Sequence, residues 1–144
     1  MMKSLLYVLS IVVLFANLTF AVEQSTVKVD VLAKTGLSWD GKALPNYPTG
    51  KPEVTILKIV IPPKTELPLH EHPVINAGIL LKGALTVITE NKETLHLKAG
   101  EAIVEVVDKW HYGMNEGDEP AVIIVVYAGV KDEAISITKT GTNH

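Results

Sequence analysis

Short apolar runs with a two-residue period recur along the chain, and they constrain the fold more than any other feature of the sequence. Successive side chains of a β-strand point to opposite faces, so this period predicts strands with one buried and one exposed face. Turn-forming residues separate the runs, and almost no segment shows the 3.6-residue period of a helix. The sequence therefore predicts an all-β domain, either a sandwich or a closed barrel.

The predicted strands follow one another at intervals of about 8 to 12 residues. They cover residues 27–33, 54–61, 79–81, 84–89, 94–98, 101–107, 110–114 and 121–128, and residues 135–138 add a candidate edge strand. The strands at 79–81 and 84–89 are expected to pair through a Lys82-Gly83 turn. Residues 36–53 contain three Gly and three Pro and are predicted to form a long loop around Trp39 and Tyr47.

The first 21 residues have the layout of a secretory signal peptide. Lys3 precedes an apolar run over residues 5–20, and Thr19 and Ala21 place small residues at the −3 and −1 positions of a cleavage site. An uncleaved anchor is the alternative, although the run is short for a membrane span. The chain is thus interpreted as a signal peptide, residues 1–21, followed by one domain, residues 22–144, in a secreted or periplasmic protein that leaves the membrane after cleavage.

Two absences exclude several classes of function. The chain has no Cys, which excludes disulfides, Cys-based metal sites and thiol nucleophiles. All 13 basic residues are Lys, and without Arg there is no bidentate clamp for phosphate. The net charge of −3 also argues against a nucleic-acid partner. Both Phe lie in the leader, so the core must be built mainly from Val, Ile and Leu.

Three of the five histidines form a pattern that suggests a metal site. His70 and His72 are two residues apart, so on an extended segment their rings project to the same face while Glu71 points away. His111 begins a later predicted strand and could complete a facial triad if the fold brings the strands together. A surface pair without a ligand is the alternative for His70 and His72.

The spacing around these histidines resembles the two motifs of the cupin superfamily. In the first motif His-x-His is followed by a ligand position and a Gly; in the second a Gly precedes a His and an Asn. The matching anchors, within a motif core of about residues 62–128, are His70, His72, Gly83, Gly100, His111 and Asn115. Lys64 and Asp108 stand where the motifs have Gly, and Val106 stands where the second has Pro. These departures are expected to affect turns and to cost little in function.

The resemblance implies a double-stranded β-helix, the cupin or jelly-roll barrel, holding one divalent metal through His70, His72 and His111. Asn76 occupies the position where family members commonly place a Glu ligand. An amide oxygen can coordinate, but it is neutral and leaves the full charge of the ion uncompensated. Among iron, zinc, nickel, copper and manganese, this change disfavours manganese and favours the ions that prefer imidazole.

Two functions remain open after this comparison. One is an exported metal-dependent enzyme acting on a small organic substrate, with dioxygenase-like chemistry preferred because the three-His set is similar to that of certain iron dioxygenases in the family. The other is a non-catalytic barrel that binds a small ligand or a metal. The resemblance also implies a homodimer formed through sheet edges.

Some neighbouring residues are given other roles. Trp110 and Tyr112 flank His111 and should face away from the metal, and His96 is expected to be exposed. Of the acids near the motifs, only Glu105 could turn inward as a substitute ligand or base, and it is not included among the expected ligands. For Trp39 and Tyr47, covering the barrel mouth and packing at an edge remain equal alternatives.

Overall fold

A computed structural model describes residues 26–139, and within this range the regular structure consists of β-strands alone. The ten strands are β1 (Pro52–Ile61), β2 (Thr65–Glu66), β3 (His70–Glu71), β4 (Ile75–Lys82), β5 (Ala84–Thr89), β6 (Thr94–Lys98), β7 (Ala102–Val104), β8 (His111–Asn115), β9 (Ala121–Val130) and β10 (Ile137–Thr138). Within residues 26–139 no helix has the length and hydropathy needed to cross a bilayer. The predicted signal peptide lies outside the described residues.

The strands form two antiparallel sheets. One has the order β1-β9-β4-β7, and the other has the order β10-β3-β8-β5-β6 with β2 paired to β8. Strands close in sequence are therefore often distant in the sheets, and β1 pairs over its whole length with β9. This confirms the predicted all-β fold class of the double-stranded β-helix type.

The inner faces of both sheets enclose a core of aliphatic side chains, as the composition predicted. Its buried members are Ile61, Val74, Leu80, Leu85, Val87, Leu97, Ile103, Ala121, Ile123, Val125 and Tyr127. In β9 the buried positions alternate strictly from Ala121 to Tyr127, which is the period-2 pattern seen in the sequence.

Two predicted strand arrangements are wrong. Residues 27–33 form no strand, and Val27, Val29 and Val31 are 92%, 80% and 73% exposed. The alternation is present there, but no neighbouring strand supplies hydrogen bonds or buries a face. The strands around Gly83 do not pair with each other either, because β4 pairs with β7 and β9 whereas β5 pairs with β6 and β8.

The turn at Gly83 is nevertheless real and explains the need for glycine there. Gly83 has a φ of +77°, and a Cβ at this position would lie 3.0 Å from both the Ala121 Cα and the Pro120 carbonyl oxygen. The corner carries the chain from one sheet to the other. Consequently the predicted turn is confirmed while the predicted hairpin is not.

Lys64 and Asp108, which stand at motif positions expected to hold glycine, retain the glycine-like backbone conformation. Their φ angles are +54° and +52°. The left-handed region costs a residue with a side chain roughly 1 to 2 kcal/mol. The Asp108 N–H donates to the His72 carbonyl at 2.9 Å, so this turn is held against the histidine segment. The substitutions thus alter the local backbone energy without altering the path of the chain.

The predicted long loop is confirmed from residue 36 to Lys51, and β1 begins at Pro52. Leu37 and Ala43 form an isolated bridge inside the loop. The Trp39 N–H donates to the Val104 carbonyl at 2.9 Å, which attaches the loop to the end of β7. Trp39 packs against the core, whereas Tyr47 is 76% exposed. The loop therefore closes one side of the barrel through Trp39.

Candidate metal centre

The three motif histidines meet because β3 lies beside β8. His70 and His111 are directly opposite each other in this antiparallel pair, and His72 follows two residues after His70 on the same side. The ring centroids of His70 and His111 are 4.5 Å apart, and each lies 5.0 Å from the His72 ring. One ligand nitrogen from each residue lies within 4.8 Å of the other two. The structure thus brings together the three predicted ligands.

Backbone carbonyls determine which nitrogen of each ring can bind a metal. The Nδ1 atoms of His70, His72 and His111 are 2.7, 3.0 and 2.8 Å from the carbonyl oxygens of Pro68, Ile135 and Lys109, respectively. A carbonyl can only accept a hydrogen bond, so each Nδ1 carries the proton and donates it. Each neutral ring therefore keeps a lone pair on Nε2, the tautomer found in metal-binding histidines.

Burial keeps these rings neutral. It lowers the pKa of His70, His72 and His111, and the pKa of His72 falls to about 4 even though its hydrogen bond to the Ile135 carbonyl acts in the opposite direction. A histidine must be deprotonated on its ligating nitrogen to bind a metal. At neutral pH the triad is consequently in the ligating state.

Asn76 lies on the inner face of β4 and lines the same cavity as the triad. Its side chain is 1% exposed, and its Nδ2 group is 3.5 Å from the Val74 carbonyl oxygen. The Oδ1 atom is buried and has no hydrogen-bond donor among the described residues. Asn76 thus lies at the site as a neutral hydrogen-bond acceptor. The position where cupins commonly place a Glu ligand is occupied here by an amide in the cavity wall.

Glu105, the one nearby acid for which an inward orientation was considered, does turn inward, although it was not included among the expected ligands. Its Oε2 atom is 3.7 Å from the His111 Nε2, and the side chain is 12% exposed. Burial raises the pKa of Glu105 to about 7, although nearby His70 and Trp39 favour the charged form. Ile103, two residues earlier, is buried in the core. The two-residue period counted from Ile103 was the signal that could have identified Glu105.

The cavity around these residues is small and mostly apolar. It has a volume of about 50 Å³ and includes aliphatic side chains such as Ile59, Leu67 and Val125. That volume accommodates several water-sized groups, since one water needs roughly 10 to 15 Å³ on this measure. Tyr127 lines the cavity beside His72, with ring centroids 5.4 Å apart. Burial raises the pKa of Tyr127 to about 12, so its phenol stays protonated.

The unsatisfied atoms at the site fit a bound cation. The buried atoms His111 Nε2, Asn76 Oδ1 and Glu105 Oε2 have no hydrogen-bond partner in the described structure. All three are acceptors, and leaving buried polar atoms unpaired costs about 1 to 3 kcal/mol each. Imidazole nitrogen and carbonyl or carboxylate oxygen are ligands of divalent transition metals. The donor set therefore fits one divalent ion held by the triad.

The residues given other roles lie mostly where the sequence indicated. Trp110 and Tyr112 are half-buried and do not line the cavity, whereas His111 between them is buried. His96 is exposed and its ring lies 3.1 Å from the Thr86 hydroxyl. The two loop aromatics differ in position. Trp39 borders Glu105 at the site, whereas Tyr47 is exposed and does not reach it.

Residues 57–127 match the family model of the cupin domain. This segment contains all three triad histidines together with Asn76 and Glu105. The match, together with the double-stranded β-helix fold, makes this region of the chain similar to cupin domains. A search of curated proteins finds no match to the sequence.

Solved structures show the same fold at low sequence identity. An uncharacterized conserved protein with a double-stranded β-helix domain from Klebsiella pneumoniae is 22% identical, with a TM-score of 0.53 over 65% of this chain and 90% of that one. DMSP lyase DddQ from Ruegeria pomeroyi is 19% identical, with a TM-score of 0.54 over 62% of this chain and 45% of that one.

Oxalate decarboxylase from Bacillus subtilis, a protein with Mn(II) centres, is 22% identical, with a TM-score of 0.50 over 59% of this chain and 23% of that one. The chain therefore spans less than half the length of the lyase and of the decarboxylase. These similarities support the fold and do not identify a substrate.

Proposed function

We propose that the barrel binds one divalent metal ion through His70, His72 and His111 and acts as a metal-dependent enzyme on a small, uncharged organic substrate. The observation that carries this proposal is the convergence of three Nε2 lone pairs in a small, buried, largely apolar cavity. When bound, the ion would supply Lewis-acid or redox chemistry at coordination positions that the histidines leave open. Dioxygenase-like chemistry is the preferred version because the three-His set resembles that of certain iron dioxygenases among the cupins, and imidazole is a ligand that iron accepts.

The cavity wall favours an uncharged substrate that can donate a hydrogen bond. The chain has no Arg, and no Lys lines the cavity in the described structure. A carboxylate substrate would therefore meet no cationic side chain and would lie beside the Glu105 carboxyl. The Asn76 Oδ1 and Glu105 Oε2 atoms instead offer acceptors for an O–H or N–H group. The apolar remainder of the wall would exclude water and hold the carbon skeleton.

Oxygen uptake by the iron-loaded protein tests the enzymatic proposal. We expect uptake with small neutral diketones, and little or none with phenols or bulky flavonols, because the cavity of about 50 Å³ is well below the roughly 150 Å³ that accommodates a benzene ring. Dicarboxylates of similar size serve as the charge control and should give no uptake. A flat response to every compound would instead support the non-catalytic barrel, in which Asn76 marks a site that holds metal without turnover.

A homodimer is proposed as the assembly of this protein. Strand β1 is an edge strand, and its outward Val54, Ile56 and Val60 are 65%, 64% and 55% exposed. Val126 and Ile79 extend this apolar face across the same sheet and are 41% and 37% exposed. Contiguous exposed apolar residues on an edge sheet are typical of a surface buried by a second copy.

Sedimentation equilibrium is expected to give twice the mass of one chain. An Ile56→Lys/Val60→Lys variant should sediment as the monomer, because two charges on the contact face would be buried without partners. Lys98→Glu, which replaces one exposed charge by another on β6 of the other sheet, is the control. A wild-type protein that remains a monomer at the highest soluble concentration would exclude this assembly.

Export is proposed from the leader sequence alone. A protein processed after Ala21 should be recovered from the periplasm or the medium with Val22 as its first residue. Amino-terminal sequencing of that fraction tests the proposal, and a product that retains Met1 in the cytosol contradicts it.

A further inference from the structure

Glu105 reaches the metal centre from the position directly after β7 (Ala102–Val104), the strand that pairs with the one carrying Asn76. Ala77 of β4 is paired with Val104 of β7, so Asn76 and Glu105 are the next opposed positions in the same antiparallel register. The Glu105 N–H confirms this by donating to the Asn76 carbonyl at 3.0 Å. Side chains at directly opposed positions lie on the same face, with Cβ atoms roughly 4.5 to 5.5 Å apart. Both residues line the cavity.

One oxygen of the Glu105 carboxyl, Oε2, lies in the cavity without a hydrogen-bond donor in the described structure. The nearest ionisable atom is the equally unpartnered His111 Nε2 at 3.7 Å. The Trp39 indole borders the carboxyl, but its Nε1–H makes no hydrogen bond of normal geometry. A carboxylate oxygen facing an imidazole lone pair is unfavourable, and a cation beside both atoms, or a proton on the carboxyl, removes the repulsion.

The charge of the site favours an anionic group near the ion. Three neutral imidazoles and the neutral Asn76 amide would leave a divalent ion with its full +2 charge inside an apolar barrel, and buried uncompensated charge is costly. Glu105 is the one carboxyl that lines the cavity in the described structure. The set of mutually adjacent ligand atoms contains the three histidines only, so Glu105 meets the site through its contact with His111.

We propose that Glu105 supplies the negative charge of the metal centre, in place of the carboxylate that position 76 lacks. In this chain the anionic group stands directly opposite position 76, one residue beyond the end of β7. This inference rests on the proposed function, because it concerns the same ion. With Glu105 included, the site has three His and one carboxylate, and the carboxylate restores affinity for ions that prefer oxygen ligands.

Metal titration of the apoprotein tests this assignment without any activity assay. Glu105→Gln keeps the volume and removes the charge, and it is expected to weaken Mn²⁺ binding by about 10- to 100-fold. The loss for Cu²⁺ should be smaller, because copper prefers imidazole. Glu66 is the exposed residue of β2. The Glu66→Gln variant removes the same charge from the surface and should bind both ions as the wild type does.

A second variant returns the carboxylate to the other strand. Asn76→Asp/Glu105→Gln has the same number of charges as the wild type and adds no volume, so it should regain most of the Mn²⁺ affinity lost in Glu105→Gln. Urea unfolding of each apo variant checks that the fold is retained. The assignment is overturned if Glu105→Gln binds Mn²⁺ as tightly as Glu66→Gln does, or if the double variant binds no better than Glu105→Gln.

Loss of the metal centre and loss of the Glu105 role would give different titration results. If the wild type binds none of these ions, the metal centre itself is excluded and Glu105 has no such role. If the wild type and Glu66→Gln bind metal, and Glu105→Gln binds it equally well, the metal centre stands and only the role of Glu105 is lost.

Discussion

Replacing His70 and His72 together by alanine is expected to abolish stoichiometric metal binding. Two of the three converging nitrogens disappear, and the remaining His111 is a single neutral ligand in an apolar wall. Changes to residues that merely orient a metal ligand cost about 10- to 100-fold in affinity. Loss of two ligands should therefore exceed about 100-fold, which empties the site at micromolar metal.

Elemental analysis of the purified protein, followed by titration with Fe²⁺ or Zn²⁺, measures this effect. His96→Ala is the matched control, because His96 is an exposed histidine outside the site. It should retain one ion per chain. Urea unfolding of the double variant separates loss of ligands from loss of fold, since both substitutions also remove hydrogen bonds to the carbonyls of Pro68 and Ile135. Unchanged metal content in the double variant would exclude the triad as the site.

The triad could be predicted from sequence because the motif spacing fixes which residues meet. The motif spacing gives no distances between side chains, but it identified His70 and His111, which are opposed in the β3–β8 pair. What the spacing did not contain was Glu105, because its position depends on the register between β4 and β7. That register joins residues about 27 positions apart, and pairing over such a separation is specified by the whole core rather than by local pattern.

The incorrect strand at residues 27–33 has a related cause. Alternating valines satisfy the side-chain pattern of a strand, but a strand also needs a partner for its backbone groups. The pairing of β4 and β5 failed for the same reason, since a turn at Gly83 does not determine which strands then become neighbours. In both cases the local pattern was present, but long-range pairing decided whether a strand formed and which strands became neighbours.

The second large effect concerns Lys109, which is held between two carboxylates next to the triad. Its Nζ lies 2.7 Å from the Asp40 Oδ2 and also bonds the Glu93 carboxylate. The side chains of Lys109 and Asp40 are 11% and 1% exposed. These contacts join the long loop to the start of β8, and the Lys109 carbonyl accepts the hydrogen bond from His111 Nδ1. The ion pair thus fixes the backbone that orients one ligand.

Lys109→Met is expected to lower the free energy of unfolding by about 3 kcal/mol at pH 7, because it leaves the Asp40 carboxylate buried without its cation. The Ser38 hydroxyl and the Lys42 N–H still donate to Asp40 Oδ1, which keeps the loss at the lower end of the usual range. Lys34→Met, in an exposed segment, is the control and should change stability by less than about 0.5 kcal/mol.

The pH dependence of this loss has a definite sign. Burial raises the pKa of Asp40, but hydrogen bonds, above all from Lys109, outweigh it and lower the pKa from 3.8 to about 2. A depressed carboxyl pKa stabilises the fold above the unfolded-state pKa, and this contribution disappears as the pH falls through the folded-state pKa. The difference between wild type and Lys109→Met should therefore be full at pH 7 and smaller between about pH 4 and pH 2.

Urea unfolding at pH 7 and pH 3 measures both the size and the sign. Asp40→Asn/Lys109→Met removes the orphaned charge as well, so it should be more stable than Lys109→Met alone if an uncompensated carboxylate is the cause. A double variant no more stable than the single one would attribute the loss to packing of the lysine stem. A loss below about 1 kcal/mol in the single variant would show that water screens this pair as it screens surface pairs, and that the loop is held to the barrel mainly by Trp39 at the end of β7.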